Sequence, residues 1–130
     1  MRERNVEIVR AAIAAFNRGD IEALLELAAP DVEVVSPEEL PNGGRFVGPN
    51  AWLAWMTTWM EAWDEFKVEV IAIEAVDDRN VVVDIRQIGR GKGSGIEIDM
   101  PMIYLCEVGP DGRFVRYQLH LTRDAALAEV

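Results

Sequence analysis

The feature that most constrains this chain is the run Arg113-Phe114-Val115-Arg116-Tyr117-Gln118-Leu119-His120-Leu121-Thr122. Successive side chains of an extended backbone point to opposite faces, so Val115, Tyr117, Leu119 and Leu121 share one side and Arg116, Gln118, His120 and Thr122 the other. This pattern predicts a half-buried antiparallel strand. Gly109-Pro110-Asp111-Gly112 before it reads as a hairpin turn, with the apolar run Ile96 to Val108 as partner. Met100, Met102, Tyr104 and Cys106 share one face of that partner. Val81 to Ile88 supplies a third long strand, with Val81, Val83, Ile85 and Gln87 together. A sheet with one apolar face needs a cover, and the start of the chain provides it.

Val6, Val9, Ile13 and Phe16 recur at helical spacing, predicting an amphipathic helix from about Glu3 to Asn17. Gly19 suits the left-handed position that ends it, and Asp20 can cap the next helix, Ile21 to about Ala28. Pro30 is expected to stop that helix. Asp31 to Pro37 then alternates into a short strand with Val32, Val34 and Ser36 on one face. Glu38 to Gly48, containing Pro41 and Asn42, is expected to be a loop. A third helix, about Ala51 to Asp64, carries all four tryptophans, Trp52, Trp55, Trp59 and Trp63, within one arc of its surface. They either pack in the core or a subunit interface, or line an apolar ligand cavity with Trp55 and Trp59 on its wall. Phe66 to Ala75 is a further strand. Gly89 to Gly95 lacks the spacing of a phosphate loop, and no helix follows it, so it reads as a hairpin tip. Asp124 to Val130 is a short helical tail.

A length of 130 residues fits one domain, residues 1–130. With 13 basic and 23 acidic residues the net charge is −10, which repels phosphate backbones and anionic lipid surfaces. Neither a nucleic-acid nor a membrane partner is expected. Cys106 is the one cysteine, so no internal disulfide forms, and inside an apolar strand it reads as a small hydrophobe. The charged N-terminus and the lack of an apolar run of about 18 residues point to a cytoplasmic protein. No cofactor or metal is called for by the sequence.

Polar residues on the apolar side are few. Ser36, Gln87, Tyr104 and Tyr117 share it with Met102 and Leu119, and Glu38 and Glu39 follow at the rim. This set suits a hydrophobic small molecule bearing one or two oxygens. Tyr104 is the candidate donor to a carbonyl or enolate oxygen, and Glu38 or Glu39 the candidate base. His120 has the right intrinsic pKa for proton transfer, but its parity places it on the outer face. Ile103 and Leu105 share that outer face, which makes it a candidate homodimer contact.

The order of elements, and the segments Ala15-Phe16-Asn17-Arg18-Gly19-Asp20, Ala29-Pro30-Asp31-Val32-Glu33, Gly44-Arg45-Phe46-Val47-Gly48, Gly91-Lys92-Gly93-Ser94-Gly95 and Asp111-Gly112-Arg113-Phe114-Val115, resemble SnoaL-like proteins of the nuclear transport factor 2-like superfamily. The resemblance implies an α+β cone, a curved antiparallel sheet whose N-terminal helices cover a concave apolar pocket. It also implies a range of activities, including polyketide cyclases, ketosteroid isomerases, epoxide hydrolases, dehydratases and non-catalytic binding domains. Tyr104 stands where the cyclases tend to have histidine and the isomerases a protonated aspartic acid. Ser36 stands in the place of the isomerases' aspartate base, and Thr122 in the place of an acidic residue of the cyclases. Asp84 and Arg86 are similar to the acid and arginine of the epoxide hydrolases, and otherwise read as an outer-face ion pair. The expectation is a small-molecule-binding domain, with proton-transfer chemistry on a hydrophobic oxygen-bearing substrate or with ligand binding or dimerisation alone.

Overall fold

A computed structural model describes residues 1–40 and 43–130, so Pro41 and Asn42 of the expected loop lie outside the described residues. The first helix, α1 (Arg2–Asn17), buries Val9, Ala12 and Ile13. Gly19 follows it with φ +77°, and Asp20 accepts a hydrogen bond from the Ala23 N–H to start α2 (Ile21–Glu26). That helix is shorter than expected. The chain is already extended at Ala28 and runs through Pro30 as β1 (Ala28–Ser36). The expected loop contains a strand, β2 (Gly44–Val47), which pairs antiparallel with β1 through Glu33 to Ser36.

The tryptophan helix, α3 (Pro49–Met60), also ends early. Trp52, Trp55 and Trp59 lie on it, whereas Trp63 opens β3 (Trp63–Ala75). Three strands complete the sheet: β4 (Asn80–Gly91), β5 (Glu97–Val108) and β6 (Phe114–His120). The order is β2-β1-β6-β5-β4-β3, antiparallel except that β1 runs parallel to β6. Glycine matters where β3 crosses β4. A Cβ on Gly89 would lie 3.0 Å from the Phe66 ring and 3.1 Å from Trp63, so its absence lets both rings lie against the strand.

The inner face is as the alternation predicts in β4 and β5, with Val81, Val83, Ile85, Met102, Tyr104 and Cys106 in the core. In β6 a register shift between Glu107 and Val108 changes the pattern. Phe114 turns inward and is buried, Val115 is left half-buried, and Leu121 is exposed beyond the strand end. Asn17 fixes α1 to the open edge of the sheet. Its side chain donates to the Val68 carbonyl at 2.8 Å and accepts from the Val68 N–H at 2.9 Å, occupying backbone groups of an edge strand.

The outer face also has a cover. The final helix, α4 (Arg123–Leu127), starts at a Thr122 cap and packs Ala126 against Val82 and Leu105. Of the two residues that mark this face as a candidate dimer contact, Leu105 is 2% exposed beneath α4 and Ile103 is half-buried. Asp84 and Arg86 do not pair with each other: Arg86 pairs with Asp99 at 2.6 Å, and Asp84 with Arg123 at 3.3 Å. Glu33 joins Arg45 and Arg116 on the same face. No helix among the described residues is long and apolar enough to cross a membrane.

Candidate functional site

The helices do not fill the concave face completely, and a cavity of about 50 Å³, partly open to solvent, remains. Helix α1 contributes Val9, Ile13 and Phe16 to its wall, and α3 contributes Trp52, Trp55, Met56 and Trp59. The sheet contributes Phe66, Gln87, Tyr104, Cys106 and Tyr117. Helical spacing explains the tryptophan wall, because positions 52, 55, 56 and 59 recur at three and four residues on one side of α3. Trp52 is buried and stacks on Tyr117 at 5.3 Å between ring centroids, and edge-on against Phe114 at 6.2 Å. Trp55 and Trp59 are half-buried at the wall, Trp55 beside Phe46 and Trp59 beside Trp63 and Phe66.

One polar cluster breaks this apolar lining. The Gln87 Nε2 donates to the Tyr104 hydroxyl oxygen at 3.4 Å. The Tyr117 ring lies 5.0 Å from that of Tyr104, and the two hydroxyls interact. Burial raises the pKa of Tyr104, with the bonds from Gln87 and Tyr117 pulling the other way. Burial also raises Tyr117 well above its ordinary value, reinforced by the neighbouring Tyr104 and Cys106. Both phenols are shifted upward and remain neutral at physiological pH. Burial alone pushes the Cys106 thiol up to about 12.

The structure brings together Trp55, Trp59, Gln87, Tyr104 and Tyr117 of the residues expected at the site. Met102 and Leu119 are instead taken up in the core, 1% and 3% exposed, away from the cavity wall. Ser36 is also buried off the wall, and its Oγ has no hydrogen-bond partner among the described residues. Glu38 and Glu39 follow Ser36 past the end of the strand. Both are exposed in the turn after β1, where Leu40 rather than either carboxylate packs inward. His120 lies on the opposite sheet face, 2.7 Å from Gln118 Oε1. Burial lowers its pKa; Glu129 raises it and Arg116 adds to the lowering. Among the described residues no carboxylate or imidazole lines the cavity, and no three of His, Cys, Asp and Glu gather in a metal-holding group.

Phe16, Phe66 and Cys106 are wall residues that the sequence reading did not single out as ligand contacts. The signal for Phe16 is its place on the apolar stripe of α1, and for Cys106 its separation of two from Tyr104.

A curved sheet closed by helices over a cavity defines an α+β cone of the nuclear transport factor 2-like class, and proteins of that class are among its structural matches. The chain belongs to the SnoaL-like family: the SnoaL-like domain model matches residues 9–117. The structure is similar to that of Bal32a from a soil-derived mobile gene cassette, at 26% identity and a TM-score of 0.84, covering 98% of this chain and 96% of that one. It is also similar to TerC co-crystallised with polyporic acid, at 22% identity and a TM-score of 0.80, covering 97% and 96%. A Jannaschia sp. CCS1 protein described as a SnoaL-like polyketide cyclase matches at 21% identity and a TM-score of 0.80, covering 98% and 90%. No curated protein matches the chain in sequence.

Proposed function

We propose that this domain binds a hydrophobic, oxygen-bearing small molecule in the cavity between α3 and the sheet, with Tyr104 as the hydrogen-bonding anchor. The observation that carries the reading is a polar cluster, the buried Tyr104 and Gln87 with the half-buried Tyr117, in a wall otherwise built, among the described residues, from aromatic and aliphatic side chains and Cys106. Ligand sites combine these elements: apolar area supplies affinity and a few fixed polar groups supply orientation. Co-crystallisation of TerC with polyporic acid supports the capacity of this architecture to take an organic ligand.

Binding is favoured over proton transfer because Glu38 and Glu39 are exposed in a turn off the cavity wall and His120 faces away from it. General acid–base chemistry needs the base within hydrogen-bond reach of the proton it moves. Space sets a second condition. A cavity that accepts benzene measures about 150 Å³, three times the volume here, so admitting a ring requires the wall to give way.

A thermal-shift panel of aromatic ketones, steroids, epoxides and fatty acids tests the reading. Stabilisation follows RT ln(1 + [L]/Kd), about 2.7 kcal/mol at a hundredfold excess over Kd. At least one compound is expected to raise Tm, and to lose that effect in Trp59→Arg, which places a charge at the wall. A flat response across the panel would overturn the proposal in favour of a closed core.

A further inference from the structure

The bonding of Tyr104 and the charge of the wall narrow the ligand class, an inference that rests on the cavity being a binding site. A phenol oxygen offers two acceptor sites and one donor. Gln87 Nε2 donates to the Tyr104 oxygen at 3.4 Å, taking up acceptor capacity there and leaving the Tyr104 O–H as the group to offer an incoming molecule. The partner must then present an acceptor oxygen. Among the described residues, every side chain on the wall is uncharged, from Val9 and Phe16 on α1 to Tyr117 on β6. Burying an anion without a cation to pair it carries a penalty of several kcal/mol. One phenolic donor offsets only part of this penalty.

We infer that the cavity selects neutral carbonyl compounds, such as ketones, esters or quinones, and rejects carboxylates of the same size. Shape cannot produce this discrimination, because a methyl ketone and a carboxylate are nearly isosteric. It arises because the wall supplies a donor without a positive charge.

The test uses three one-ring probes, acetophenone, benzoic acid and ethylbenzene, with Kd read from the tryptophan indole N–H signals in the full chain. Acetophenone is expected to bind equally at pH 5 and pH 7. Benzoic acid, with a pKa of about 4, binds as the neutral acid, so its apparent affinity falls about a hundredfold over the same interval. Tyr104→Phe, which keeps the ring, is expected to weaken acetophenone about tenfold, the worth of one hydrogen bond, and to leave ethylbenzene within about twofold.

Equal benzoate binding at pH 5 and pH 7, or a Tyr104→Phe change that weakens ketone and hydrocarbon alike, would overturn the selectivity while leaving the site standing. A response to ethylbenzene alone has the same meaning. If none of the three probes moves the indole signals, the binding site and the selectivity both fall.

Discussion

Cys106 sits on the cavity wall beside Tyr104, and burial alone pushes its thiol up to about 12 from an ordinary value of 9.0. Below pH 9 the thiol is protonated in both folded and unfolded chains and does not affect stability. Above pH 9 the unfolded chain releases the proton first, so stability falls as pH rises towards 12, by up to about 1.4 kcal/mol per pH unit from this group. Tyr104 and Tyr117, both raised by burial of their hydroxyls, push in the same direction. Urea titrations at pH 7, 9 and 10.5 should show a midpoint that is flat and then declines, and Cys106→Ala should soften the decline. A midpoint that rises above pH 9 would contradict the burial of these groups. The inward orientation of Tyr104, Gln87 and Cys106 is legible in the sequence, because strand alternation has only two phases. The inward turn of Phe114 is not legible, because one extra residue in the ladder shifts the phase and nothing in Arg113-Phe114-Val115 marks that shift. Met102 and Leu119 have the correct face, but parity carries no information on how far a wall residue lies from an opening.

Among the elements, α4 differs most in role from its sequence reading. As a tail of a few residues it carries little signal, yet Ala126 is fully buried over Val82 and Leu105, and Arg123 reaches both Asp84 and Glu74. Exposed pairs of this kind contribute little, so the hydrophobic contact holds the helix. Ending the chain at Thr122 would return Val82 and Leu105 to water, at about 1.5–3 kcal/mol for each side chain fully uncovered. Chemical denaturation should report a loss of that order, and light scattering should report self-association through the uncovered face. An unchanged midpoint and mass would show that α4 covers nothing of consequence. The end of α3 was missed for a related reason. Trp52, Trp55, Trp59 and Trp63 keep helical spacing, but the chain leaves the helix at Met60 and Trp63 joins β3 over the bare backbone of Gly89. Strand β2 is not legible in the sequence because four residues, Gly44 to Val47, are too few to establish a period. Its pairing partner, β1, lies at a distance that local spacing does not encode.

At the scale of the molecule, the fold and the chemistry differ in legibility. The three N-terminal helices and the four-strand run from β3 to β6 follow from periodicity and turn residues. The cavity does not, because it is the volume left after packing α1 and α3 on a curved sheet, a difference between large quantities spread over the whole chain. Helix covers on both sheet faces and a net charge of −10 leave the concave interior as the place where this chain presents a donor in apolar surroundings. The central claim is that this interior is the ligand site. Intermolecular nuclear Overhauser effects from bound acetophenone test it most directly. The account expects contacts from its ring protons to Trp55 and Trp59 and from its methyl group to the Tyr104 ring. Contacts confined to the surface groove of Ile21, Leu25 and Leu53, with none to Tyr104, would contradict it.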